Sequence, residues 1–358
     1  MTTIDQQIDE ILTEIRKTPY HKGTERHLGL LKAKVAKLKA KREASASRGS
    51  SGKGISYAVK KQGDATVVLV GPPSAGKSTL LNKLTNAQSK VAPYAFTTVS
   101  IIPGMMKYRD TDIQILDVPG LIEGAETGKG RGREVLSVVR AADLLILISD
   151  VKRPKAIQRI TDSLESNGIR VNKSHPKVTI EKANTGGLSI KSNIAQELSI
   201  ETIKEIAREM GIKNGEIKIE QKLSTEELVD VFSRNRVYVP AINVLNKSDL
   251  IKQTTKFGGN TILISADTEK NIDELKSIIW EKLQFVRVYL IKPYEEPNFN
   301  DPMIVKNDWS LKKVSEKIGS EFADTKSRAK IWGPGAKFPE QEVSLNKKVQ
   351  DNMQIRFI

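Results

Sequence analysis

The chain has 358 residues, 38% hydrophobic and 28% charged, which suits a globular fold of two or three domains and excludes a low-complexity or fibrous chain. It contains no cysteine, so disulfides and thiolate metal sites are ruled out. The formal net charge of +15 points to a polyanionic partner, nucleic acid first and an acidic membrane surface second.

The first residues, Met1-Thr2-Thr3-Ile4-Asp5-Gln6, are polar and acidic and do not read as a signal peptide. No apolar run approaches the ~18 residues that span a bilayer, so a cytoplasmic, membrane-free protein is expected. Ile4, Ile8, Ile11 and Ile15 fall at helical spacing, and Pro19 and Gly23 end that pattern. A second helix is predicted from about Thr24 to Arg42, with Leu28, Leu31, Val35 and Leu38 on one face. Its other face carries Lys32, Lys34, Lys37, Lys39, Lys41 and Arg42. That face reads equally as an RNA or ribosome contact and as a solvated surface. The two helices should form a hairpin, and the Gly/Ser-rich, basic stretch 45–54 has linker composition.

From about Gln62 the pattern alternates between strand and helix, which predicts a mainly parallel sheet with crossover helices. Strand-like runs are Thr66–Val70, Ile113–Val118, Leu144–Ser149, Tyr238–Asn246 and Thr261–Ser265. Ligands of such sheets gather at the carboxyl ends of the strands. The first run leads into Gly71-Pro72-Pro73-Ser74-Ala75-Gly76-Lys77-Ser78-Thr79, the G-x-x-x-x-G-K-[ST] loop in its strand–loop–helix setting. Glycine lets the backbone approach a phosphate, and the loop N–H groups and helix N-terminus attract it. Lys77 should reach the β- and γ-phosphates, and the Ser78 hydroxyl should ligate Mg²⁺.

Asp117-Val118-Pro119-Gly120 closes the next run, placing a carboxylate for water-mediated Mg²⁺ binding and the Gly120 N–H for the γ-phosphate. Between these motifs, Tyr94-Ala95-Phe96-Thr97-Thr98 offers a loop threonine that would ligate Mg²⁺ only while a γ-phosphate is present. Asn246-Lys247-Ser248-Asp249 follows the fourth run. The Asp249 carboxylate can accept from guanine N1–H and N2–H₂, a pair that adenine lacks. Lys247 can lie over the base, and Asn246 can either bind O6 or brace the phosphate loop. Ser265-Ala266 can offer a backbone N–H to guanine O6. His21, His27 and His175 show no metal-ligand spacing, and no Ser/His/Asp or paired-carboxylate arrangement stands out.

Five motifs in this order resemble a GTP-binding G domain, and their details resemble the Obg/DRG family, in particular its DRG branch. The resemblance rests on 71–79, 94–98, Asp117-Val118-Pro119-Gly120-Leu121-Ile122-Glu123-Gly124-Ala125, Gly128-Lys129-Gly130-Arg131-Gly132-Arg133 and Asn184-Thr185-Gly186-Gly187-Leu188. It implies an α/β P-loop G domain over about 62–284, interrupted at about 168–236 by a small α/β subdomain. Residues 1–61 form the basic hairpin and linker. Residues 285–358 resemble a TGS domain, a ubiquitin-like β-grasp module associated with ribosome and RNA contact. The resemblance further implies GTP and GDP as ligands, Mg²⁺ as cofactor and a monomer. Thr98 is favoured over Thr97 for the metal by similarity to relatives that keep only the second threonine.

Leu121 stands where many small GTPases place a water-orienting glutamine, and leucine cannot hydrogen-bond water. Slow intrinsic turnover is therefore expected, stimulated by a partner protein, the ribosome or a monovalent cation such as K⁺. Some cation-dependent relatives have asparagine where this chain has Ser74, which leaves the K⁺ site open. Two other readings compete with a GTP-hydrolysing switch: an RNA-binding scaffold with structural nucleotide, and an ATPase with a chance Asn-Lys-Ser-Asp turn.

Overall fold

The computed structural model describes residues 3–48, 62–85, 101–118, 131–233, 235–251 and 261–358. The chain opens with helices α1 (Ile4–Lys17) and α2 (Glu25–Arg48). Next come β1 (Ala65–Val70), α3 (Lys77–Thr85), β2 (Ile102–Tyr108), β3 (Thr111–Asp117), α4 (Arg131–Ala141), β4 (Leu144–Asp150) and α5 (Lys155–Ser166). The insertion supplies β5 (Ile169–Val171), β6 (Val178–Lys182), β7 (Leu188–Ser192), α6 (Ile200–Glu209), β8 (Gly215–Ile219), α7 (Thr225–Phe232) and β9 (Val237–Val239). The main sheet resumes with β10 (Ala241–Asn246), β11 (Thr261–Leu263) and α8 (Ile272–Lys282). The chain ends with β12 (Phe285–Leu290), β13 (Met303–Lys306), α9 (Leu311–Ile318), α10 (Ser320–Asp324), β14 (Arg328–Trp332), β15 (Gln341–Ser344) and β16 (Met353–Phe357). Among the described residues, no helix is long and apolar enough to cross a membrane.

Two compact units result: residues 1–56 with 164–238, which include the N-terminal helices, and residues 57–163 with 239–358, which include the main sheet. In the second unit, six strands run in the order β11-β10-β4-β1-β3-β2, all parallel except β2. Strand β1 is buried at every position, as expected of a central strand covered on both faces. Strand β2 carries Pro103 and Gly104, which read as breakers in sequence; an edge position tolerates a residue without an N–H. Pro240 likewise splits the single strand predicted over Tyr238–Asn246 into β9 and β10.

The C-terminal sheet has the order β13-β12-β16-β14-β15, with β12 and β16 parallel at its centre, the β-grasp arrangement. Ser310 caps α9 by accepting from the Lys313 N–H. Val288, Leu311, Val314, Ile331, Met353 and Ile355 form its core. Phe285 and Ile304, on the opposite face, join the core of the main sheet together with Ile279 and Leu283. Ion pairs Lys306–Asp143 at 2.6 Å and Lys317–Asp64 at 3.0 Å flank that shared core. Only Leu283 and Gln284 separate α8 from β12.

In the first unit, α1 and α2 form the expected hairpin, with Ile8, Leu28, Leu31 and Val35 buried. Thr3 and Gln6 close a capping box on α1. The insertion is a three-stranded sheet, β6-β8-β7, backed by α6 and α7. The stretch Arg170–Ile180 has a strand-like composition but is interrupted at Asn172, whose φ is +53°, so β5 pairs with β9 and β6 with β8. Ala33 and Ala36 of α2 lie in the same core as Ile203, Ile206 and Leu228 of the insertion. The carboxylate of Asp230, about 5% exposed, accepts from Arg170 at 2.5 and 2.7 Å and from Arg236 at 2.6 Å.

Candidate functional site

The loop Gly71–Ser78 joins β1 to α3 at the carboxyl edge of the main sheet. Each carbonyl from Gly71 to Ala75 is held by a side chain. Lys77 Nζ donates to Gly71 and Pro72, both at 3.1 Å. Arg153 Nη2 donates to Pro73 at 3.1 Å, Lys247 Nζ to Ser74 at 2.9 Å and Asn246 Nδ2 to Ala75 at 3.0 Å. In a planar trans peptide the next N–H points opposite to the held carbonyl, which turns the Ser74 and Gly76 N–H groups away from Arg153 and Asn246, while the Ala75 N–H donates to the Pro72 carbonyl at 3.4 Å. Gly71 and Gly76 allow this packing. A Cβ on Gly71 would lie 2.2 Å from the Ile148 carbonyl, and one on Gly76, whose φ is +86°, 2.2 Å from Asn246 Nδ2.

Burial pushes the Lys77 ammonium below its ordinary value of 10.5, and Asp117 pulls it partly back. A desolvated cation beside loop N–H groups is a site for an anion. Ser78 Oγ donates to Asp117 Oδ2 at 2.7 Å, while Asp117 Oδ1 is buried with no hydrogen-bond partner among the described residues. A hydroxyl and a carboxylate oxygen with spare capacity suit Mg²⁺, which takes few protein ligands and keeps water and phosphate oxygens.

The Asn246–Asp249 loop, the candidate for base recognition, follows β10. Lys247 adopts φ +65° and starts the 3-10 turn Ser248–Leu250. Asn246 is spent on bracing: its Oδ1 accepts from the Ala266 N–H at 2.9 Å while its Nδ2 holds Ala75. The Ser265 N–H donates to Lys270. Both backbone donors singled out for guanine O6 are therefore already engaged inside the loop. Ser265 contributes its hydroxyl instead, donating to Asp249 Oδ1 at 2.6 Å. That bond, the largest cause, holds the exposed Asp249 carboxyl below its ordinary 3.8. Asp249 is thus a fixed, ionised acceptor.

Tyr94, Phe96, Thr97, Thr98, Gly120 and Leu121 lie outside the described residues. So does the whole stretch 119–130. In the first unit, Lys34 and Lys41 are exposed. Lys32 pairs with Glu226, Lys37 with Glu209 and Arg42 with Asp5, and Lys39 donates to the Ser166 carbonyl. Much of the lysine row therefore ties α2 to the insertion and to α1. Sequence reasoning missed Arg153. The one available signal was a carboxylate and a guanidinium three residues apart, Asp150 and Arg153, just after β4.

Residues 66–182 match a family model described as 50S ribosome-binding GTPase, and 185–285 match the C-terminal region of that domain. An uncharacterized GTP-binding protein of Methanocaldococcus jannaschii is 44% identical, covering 97% of this chain and 91% of the relative. Developmentally-regulated G-protein 3 of Arabidopsis thaliana is 38% identical, covering 100% and 99%. Developmentally-regulated GTP-binding protein 2 of Homo sapiens is 37% identical, covering 99% and 98%. The chain belongs to the DRG family of GTP-binding proteins. The candidate residues Gly71–Ser78, Asp117 and Asn246–Asp249 lie together at the carboxyl edge of the main sheet.

Proposed function

We propose that this DRG-family member is a slow GTP-hydrolysing switch that docks on the ribosome or on RNA in the cytoplasm. The observation carrying the chemistry is the Ser78–Asp117 pair with its spare buried Asp117 oxygen, set beside the phosphate loop. The loop N–H groups and Lys77 bind and orient the triphosphate, and Asp249 selects guanine. Ser78, Asp117 and Thr98 would hold Mg²⁺, which when bound neutralises charge on the phosphates. Thr97, Tyr94 and Phe96 would belong to the segment that senses the γ-phosphate, and Gly120 would donate to it. Leu121 provides no group to orient water, so catalysis is completed by a partner or by K⁺.

Docking is supported by the net charge of +15, by the exposed Lys34 and Lys41, and by the name of the matching family model. The test is GTP turnover in potassium and in sodium, with and without ribosomes, alongside co-sedimentation in GTP-like and GDP states. Slow basal turnover, its stimulation by potassium or ribosomes, and nucleotide-dependent association are expected. Equal competition by ATP would overturn guanine selection. Association that ignores the nucleotide would favour a scaffold.

A further inference from the structure

Pro72 and Pro73 have no N–H, so after Gly71 the first backbone donor of the loop is that of Ser74. Ser74 also carries the loop's strained conformation, with φ +60° on a residue other than glycine. Such a conformation persists where its surroundings over-determine it. Two cations do so from either side: Lys247 on the Ser74 carbonyl and Arg153 on the Pro73 carbonyl, at 2.9 and 3.1 Å.

Arg153 is itself anchored. Its Nε and Nη2 donate to Asp150 Oδ2 at 2.9 and 2.6 Å, and its backbone N–H donates to the Asp150 carbonyl at 3.0 Å. Ser149 Oγ holds the Arg153 carbonyl at 2.9 Å. Asp150 is nearly buried at the end of β4, between β1, which leads into the phosphate loop, and β10, which leads into the base loop. The Val151 N–H donates to the Asn246 carbonyl at 3.0 Å. The guanidinium thus stands on a rigid mount connected to both loops.

We propose that Arg153 is a positioning residue: by holding the Pro73 carbonyl outward, it aims the Ser74 N–H at the polyphosphate chain of the nucleotide. It acts on the phosphate end and leaves base recognition untouched. The inference rests on the nucleotide reading of this loop.

The test is competition of guanosine, GMP, GDP and GTP for the site in wild type, Arg153→Ala, Arg153→Lys and Asp150→Asn, with thermal unfolding measured in parallel. A charge-assisted contact at a half-exposed site predicts about a fivefold loss of GDP and GTP affinity in Arg153→Ala, with guanosine unchanged. Asp150→Asn should show a smaller loss of the same kind, and Arg153→Lys should recover most of the affinity. Equal losses for guanosine and GDP would show general damage and overturn the proposal, as would unchanged GDP affinity. A fall in kcat at saturating GTP with unchanged affinity would overturn it in favour of a transition-state role. Failure of the wild type to bind GDP would sink the nucleotide reading itself, a result distinct from all of these.

Discussion

Asn246 and Ala75 are joined by a buried hydrogen bond of 3.0 Å, and the other end of the same amide holds the Ala266 N–H at 2.9 Å. One side chain thereby fixes the phosphate loop to both base-side loops. Asn246→Ala leaves a carbonyl and an N–H unsatisfied in a site where Asn246 is 2% exposed. A cost of ~2–4 kcal/mol is expected, read as at least a tenfold loss of GDP affinity by equilibrium binding.

Asp249 should decide which purine is accepted. Asp249→Asn replaces an acceptor by a group that also donates, matching xanthine and mismatching guanine. Preference should swing from GTP toward xanthosine triphosphate by about ten- to a hundredfold in direct competition. An unchanged ranking would remove Asp249 from base recognition.

Gly76→Ala should abolish nucleotide binding. The added methyl meets Asn246 Nδ2 at 2.2 Å and the backbone sits at φ +86°, so the loop and its brace cannot both remain in place. Loss of GDP binding with a retained circular dichroism spectrum is the expected result.

Asp230 keeps the first unit together through two guanidiniums. Asp230→Ala strands Arg170 and Arg236 with their side chains 14% and 11% exposed. A destabilisation of ~3–5 kcal/mol is expected, visible as a lower unfolding midpoint and faster amide exchange in α6 and α7.

Acid should weaken the β-grasp module through Asp351. Burial raises its pKa, but bonds from the Arg287 side chain and backbone outweigh burial and hold it below 3.8. A folded pKa below the unfolded one means that stability is fully present above the unfolded value and is lost as pH falls through the folded one. Asp351→Asn should therefore lower the melting temperature at neutral pH, where that contribution is fully present, and flatten its fall between about pH 5 and 3, so that the two proteins converge in acid.

The candidate site was legible as a set of loops at one sheet edge because its information is local. Gly71–Ser78 and Asn246–Asp249 each specify a loop within a few residues, and alternating strands and helices place such loops at one sheet edge. The β-grasp module over 285–358 was legible through its resemblance to a TGS domain. Packing between distant segments was not. Lys32, Lys37 and Lys39 look like a solvent face until segments more than a hundred residues later supply Glu226 and Glu209 from the insertion and the Ser166 carbonyl from the end of α5. Asn246 could not be assigned between base and brace, because its two partners come from two other loops. Arg153 escaped because its target is a backbone carbonyl, which leaves no mark in sequence.

The two-residue join between α8 and β12, with Phe285 and Ile304 sunk into the neighbouring core, makes the C-terminal module a poor unit of exchange. Grafting it elsewhere would carry along an apolar seam that needs Ile279 and Leu283 to cover it. A substitution on either side of the seam therefore changes which residues the other side can accommodate.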